Sequence, residues 1–213
     1  MTPFPFGCPT DGVSPPEVPD GDWKGLTRQN ELRLVSAARA LQMQTGRGIH
    51  QGVRDHAVIA ALLGTGLRVS ELLGLDRDQW DGKAFTRVRI KGNRRLKTVP
   101  ITAEGRKAVE DWLEVRGKEP GPIFLTARGR RLGRKQLYDI LKRVERQANA
   151  HLPAKERFTV TPHVLRHTFL RKLAETKGVQ YAREASGHKT DRYIWRYVKP
   201  DQQTLAEAID GLD

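Results

Sequence analysis

The chain has 213 residues, 38% of them hydrophobic and 30% charged, with a formal net charge of +13 and a pI near 10.2. That is enough for one sizeable domain or two small ones, and the charge calls for a polyanionic partner, nucleic acid first, with a membrane surface or an acidic protein as what charge alone leaves open. No apolar run approaches the ~20 residues that span a bilayer, no basic-then-apolar secretory signal opens the chain, and the single Cys8 excludes an internal disulfide, so a cytoplasmic protein is expected.

Residues 1–22 hold six of the twelve prolines and no periodic apolar pattern, which reads as a proline-rich flexible tail or linker over 1–25. Thr27 can cap a helix running to about Gln44, with Leu34, Val35, Ala38 and Leu41 along one side. A second helix is predicted from about Val53 to Leu63, broken by Gly64-Thr65-Gly66. A short third one starts near Leu67 and ends at Gly74.

The period then changes. Thr86, Val88 and Ile90 alternate with Arg87, Arg89 and Lys91, as in a strand with one buried face. Turn signals at Asp81-Gly82 and Gly92-Asn93, with a return strand from Leu96 to Pro100, predict a small antiparallel sheet of about three strands between Asp76 and Pro100.

Helices resume at Thr102, a good cap, with Ala108, Val109, Trp112 and Leu113 as the apolar stripe. Ile123-Phe124-Leu125 reads as a short extended piece. Arg134 to Asn149 carries Leu137, Ile140, Leu141, Val144 and Ala148 at helical spacing. Thr161-Pro162 starts a helix that stops at Gly178, since proline suits the first helical position. A short helix leads to Gly187, another covers about Arg192 to Val198, and Leu205, Ala208, Ile209 and Leu212 form a last amphipathic stripe. The fold class is α+β, mainly helical.

Four polar clusters stand out. The first is Thr65-Gly66-Leu67-Arg68-Val69-Ser70-Glu71-Leu72, where Arg68 follows a glycine break and Glu71 shares its helix face. The second is Lys91 in Lys91-Gly92-Asn93-Arg94, 23 residues on. The third is His163-Val164-Leu165-Arg166-His167. His163 and Arg166 leave one face of a helix whose N-terminus favours anions, while His167 points elsewhere in a buried structural role. The fourth is Gly187-His188, 22 residues after Arg166, with Tyr197 nine further on. Taken singly, each has a bland reading: a surface ion pair, a solvated turn lysine, a harmless His-x-x-Arg, a packed tyrosine.

Cutting a DNA phosphodiester without a metal requires guanidinium forks for the anionic phosphate, a nucleophile, and an acid for the departing sugar oxygen. In order and spacing, the four clusters resemble the tyrosine recombinase (phage integrase) family over roughly residues 26–213. Carried over residue by residue, the resemblance implies that Arg68 and Arg166 clamp the scissile phosphate, with His188 adding a hydrogen bond. It implies that Lys91 protonates the leaving 5′ oxygen, His163 assists proton transfer, Glu71 supports the pocket, and Tyr197 attacks. Tyr197 is preferred to Tyr193, and Lys91 to Lys97, Arg94 and Arg95, because their positions match the family's.

The resemblance further implies a 3′-phosphotyrosyl intermediate, no metal or other cofactor, double-stranded DNA as partner, and a homo-oligomer on DNA, dimer or tetramer in synapsis. Arg87, Arg89, Arg94, Arg95, Lys97, Arg130, Arg131, Arg134 and Lys135 are the candidate DNA contacts, in a cytoplasmic, DNA-associated protein. Two departures stand out: only the proline-rich segment precedes Thr27, where most relatives carry a helical core-binding domain, and Ser186 replaces the usual leucine of Leu-Gly-His. A type IB topoisomerase-like enzyme and a catalytically silent DNA binder are the competing readings. Metal-dependent nuclease chemistry is disfavoured because no acidic cluster stands out for magnesium.

Overall fold

A computed structural model describes residues 25–43, 49–90 and 96–186. Seven helices and one two-stranded sheet follow one another among them: α1 (Arg28–Met43), α2 (Ile49–Thr65), α3 (Val69–Leu73), β1 (Ala84–Arg89), β2 (Leu96–Pro100), α4 (Ala103–Arg116), α5 (Arg134–Ala148), α6 (Pro162–Lys177) and α7 (Val179–Ser186). The expected tail over 1–25 lies outside the described residues except Gly25. So do Lys91, Arg94, Arg95, His188, Tyr193, Tyr197 and the stripe from Leu205 to Leu212.

The central element is α2. Ala57, Val58, Ile59, Ala61 and Leu62 are all buried, so its second half is apolar nearly all round, as a helix enclosed by neighbours must be. It packs against α1, α4 and α6. On α5, Leu137, Ile140, Leu141 and Val144 turn one face inward, and α1 covers it. No described helix is long and apolar enough to cross a membrane.

The caps fall where the side chains predict. The Thr102 hydroxyl accepts from Gly105 N–H and starts α4, and the Thr161 hydroxyl accepts from Val164 N–H with Pro162 opening α6. The segment before α6 is anchored to α5: Val160 N–H donates to Glu145 Oε2 at 2.6 Å, and the Asn149 amide donates to Phe158 O at 2.8 Å. The chain enters the domain against α6, where Leu26 N–H donates to Thr168 Oγ1 at 2.8 Å and Arg171 donates to Leu26 O at 2.6 Å.

Among the described residues the sheet has two strands, where about three were expected. The segment after α3 folds instead into a 3-10 turn over Arg77–Gln79, because Gln79 uses its side chain for what a strand would give the backbone. Its Oε1 accepts from Asp76 N–H at 2.9 Å, and its Nε2 donates to Thr86 O at 3.0 Å and Arg87 O at 2.9 Å. The simple alternation read over Thr86 to Lys91 is also broken. A bulge falls between Phe85 and Val88, with Arg87 at φ 52°, so that Ala84, Phe85 and Val88 are buried together.

Candidate active site

The first polar cluster begins with a turn that only glycine suits. Gly66 has φ 62°, and a Cβ there would lie 2.4 Å from Phe169 Cδ1 of α6. The preceding Thr65 closes α2 by donating its hydroxyl to Ala61 O at 2.6 Å, and it accepts from Leu67 N–H at 3.2 Å. The chain therefore reverses tightly, and Arg68 emerges at the start of α3. Glu71 binds it twice: Oε2 accepts from Arg68 N–H at 2.8 Å and Oε1 from the guanidinium at 3.0 Å. The Glu71 side chain is only 3% exposed and that of Arg68 28%, so the carboxylate anchors while the guanidinium faces outward.

Arg166, one turn into α6, is 8% exposed. Its guanidinium donates to Gly66 O from Nη1, and from Nη2 to Ser186 O at 2.6 Å. It thus bridges the Gly66–Arg68 turn and the end of α7, elements 100 residues and 20 residues away in sequence. Carbonyls orient a guanidinium without neutralising it.

Arg68, Glu71 and Arg166 line one cleft of about 430 Å³, together with Lys97, Phe169, Tyr181 and Ser186. Two of the expected catalytic side chains and their expected support are thereby gathered in one place. His163 stands exposed in the first turn of α6, three residues before Arg166. His167, expected to point elsewhere and to be buried, is half-exposed, with its ring 6.5 Å from that of His163. Residues four apart on a helix are neighbours, so the two histidines share a side of α6. Lys91, His188 and Tyr197 lie outside the described residues. The segments on either side of Lys91 are β2 and β1, and α7 ends at Ser186, two residues before His188.

The candidate DNA contacts divide. Arg89, Arg130, Arg134 and Lys135 are exposed. Arg87 pairs with Asp78 at 2.6 Å, and Lys97 pairs with Glu184 at 2.6 Å. Arg131 caps the chain after α3, donating to Leu73 O at 2.9 Å, Leu75 O at 3.2 Å and Asp76 at 2.6 Å. Sequence reading missed Ser186 and Gly66 as the acceptors that orient Arg166, since the groups involved are backbone carbonyls and no side-chain type marks them. The signal for Gly66 is its place in the helix break before Arg68, which marks a turn that aims Arg68 outward but not a carbonyl that holds Arg166.

Residues 25–204 match the family model described as the phage integrase family. A tyrosine recombinase XerC 1 of Ralstonia nicotianae is 32% identical over 224 residues, covering 95% of this chain and 64% of that protein. A tyrosine recombinase XerC of Stutzerimonas stutzeri is 33% identical over 187 residues, covering 84% and 59%. The chain therefore spans about three-fifths of the length of these curated relatives.

Among solved structures, XerA recombinase superimposes with a TM-score of 0.67 at 23% identity, over 88% of this chain and 64% of that one. XerH site-specific recombinase, bound to difH substrate in a pre-cleavage complex, gives 0.67 at 21% identity over 88% and 53%. These likenesses establish the fold. The family-model match, which takes in all of the described residues, together with relatives more than 30% identical over most of this chain, places it in the phage integrase family, as a tyrosine recombinase catalytic domain.

Proposed function

We propose that this domain cuts and rejoins duplex DNA as a site-specific recombinase, through a covalent phosphotyrosine and without a metal. The observation that carries the reading is the shared root of the two arginines. Arg166 donates to the carbonyl of Gly66, two residues before Arg68, so one tight turn fixes both guanidinium groups on one cleft. Preorganised forks of this kind favour the charge that gathers on the non-bridging oxygens of a phosphate under attack.

The remaining roles follow from the family pattern. Tyr197 attacks the phosphorus, its phenolic proton passes toward His163, and the 3′ phosphate becomes a tyrosyl ester. Lys91 gives a proton to the departing 5′ oxygen, and His188 adds a hydrogen bond to the phosphate. A 5′-hydroxyl from another strand then reverses these steps, so phosphodiester bonds are conserved and no nucleotide cofactor is consumed. Arg89, Arg130, Arg134 and Lys135 supply phosphate contacts, and copies of the chain assemble on the DNA as a dimer or tetramer in synapsis. The protein works in the cytoplasm, associated with DNA.

The test uses a nicked duplex carrying the sequence that the protein itself enriches from a randomised pool. Denaturing electrophoresis is expected to show a covalent protein–DNA adduct that forms in the presence of a chelator and disappears in Tyr197→Phe. An adduct that survives in Tyr197→Phe, or one that needs a divalent cation, overturns the reading.

A further inference from the structure

One polar link joins the hairpin strands to α7. Lys97 Nζ donates to Glu184 Oε1 at 2.6 Å, across 87 residues of sequence. Among the described residues no other hydrogen bond ties β1 or β2 to α7. Both partners line the cleft that holds Arg68 and Arg166. The lysine hydrogen bond and its charge hold the Glu184 carboxyl below the usual carboxylate range, so this group is a carboxylate at neutral pH.

The position of each partner matters more than its charge. Lys97 lies at the outer end of the β1–β2 ladder, facing Val88, and Arg89↔Leu96 is the last pair before the segment with Lys91. A two-stranded ribbon is marginal alone, and this one carries a bulge. Its bulge is held by the Gln79 amide on Thr86 O and Arg87 O, and its inner end by the Trp80–Phe85 ring contact at 4.9 Å. Glu184 sits two residues before Ser186, whose carbonyl is bound to Arg166. The pair therefore joins the outer end of the ribbon to the one part of α7 that is already locked to the phosphate pocket.

We propose that Lys97 and Glu184 are positioning residues, a clasp that sets the approach of the hairpin lysine Lys91 to the scissile phosphate. This rests on the recombinase reading of the cleft. Lys97 then acts through Lys91 and through no contact of its own with the leaving oxygen. Ion pairs as exposed as this one shift a conformational balance by about two- to fivefold, which sets the size of the effect.

Single-turnover adduct formation is measured on the nicked duplex described above, and on the same duplex with sulfur in place of the bridging 5′ oxygen. A thiolate leaves without a proton, so it removes the need for Lys91 and for anything that only aims it. Glu184→Gln is expected to slow the oxygen substrate by about two- to fivefold and to match the parent on the sulfur substrate, with DNA affinity unchanged. The charge exchange Lys97→Glu with Glu184→Lys is expected to bring the oxygen rate back toward the parent's, and Lys91→Ala, slow on oxygen, serves as the benchmark rescued by sulfur.

A Glu184→Gln variant as fast as the parent on oxygen, or equally slow on both substrates, overturns the clasp while leaving the recombinase reading intact. Failure of the charge exchange to recover the rate also overturns it. If the parent itself forms no adduct, the recombinase reading fails and takes the clasp with it.

Discussion

Arg54 and Arg166 are both nearly closed to water, at 6% and 8% exposure, yet they are satisfied by different chemistry. Arg54 in α2 donates twice to Asp55 Oδ1, at 3.0 and 2.7 Å, and once to Leu125 O at 3.0 Å. Arg143 of α5 binds the other oxygen of the same carboxylate. That cluster neutralises charge inside the domain and fastens α2 to α5 and to the strand-like turn at Leu125. Arg166 is held by the carbonyls of Gly66 and Ser186 and borders an open cleft. Arg54, tied to Asp55 beside Arg143, is part of the scaffold, whereas Arg166 borders the cleft as Arg68 does on its Glu71 anchor, and both are aimed at a ligand.

The comparison is broken most severely at Asp55. Asp55→Asn leaves the buried Arg54 guanidinium without its counter-charge, and the loss in urea-denaturation stability is expected to be about 3–5 kcal/mol. Adduct formation per folded molecule should change little. Arg166→Ala should show the converse, with single-turnover adduct formation falling by about 10²–10³-fold, the cost of one preorganised donor. Arg166→Lys should recover only a small part of that, because an ammonium cannot span the Gly66 and Ser186 carbonyls and still present a fork.

The turn beneath Arg166 offers a finer test. Gly66 and Gly82 both have positive φ, 62° and 91°, but a Cβ at Gly66 meets Phe169 at 2.4 Å while one at Gly82 meets nothing within 4 Å. Both alanine variants bear backbone strain, and Gly66→Ala adds overpacking, so its thermal-denaturation loss should exceed that of Gly82→Ala by about 1–3 kcal/mol. Gly66→Ala should also slow adduct formation, whereas Gly82→Ala should not. Thr161→Ala, which removes the α6 cap that accepts from Val164 N–H, should cost about 1 kcal/mol by the same measurement.

How far these features were legible in the sequence depends on what carries them. Thr102 and Thr161-Pro162 announced their helices because capping is local and the side chain itself makes the bond. The third strand was misread because Gln79 spends its amide on backbone groups of Asp76, Thr86 and Arg87, which no alternation pattern encodes. The bulge at Arg87 was invisible for a related reason: positive φ usually advertises itself through glycine, and here arginine adopts it. Arg68, Glu71 and Arg166 were readable as motifs, but the carbonyl cradle and the Lys97–Glu184 pair arise from contacts across long stretches of chain.

A weaker effect should appear with pH. Burial, with Arg39 next, pushes the His56 imidazole below the ordinary histidine value, against smaller opposing pulls from Asp111 and Glu104. The unfolded chain then binds the proton more tightly, so stability is full above about pH 6.5 and falls as pH drops below it. Denaturation midpoints measured across that window should decline less in His56→Phe than in the parent.

The claim that the Arg68 and Arg166 guanidinium groups serve a single phosphate is tested most directly with a methylphosphonate at the scissile position, which removes the negative charge they are held to answer. Adduct formation by Arg68→Ala and Arg166→Ala, nearly abolished on the natural phosphodiester, is predicted to recover substantially on the neutral linkage. Equal deficits on both linkages would contradict the account, since the arginines would then be serving the fold and not the phosphate.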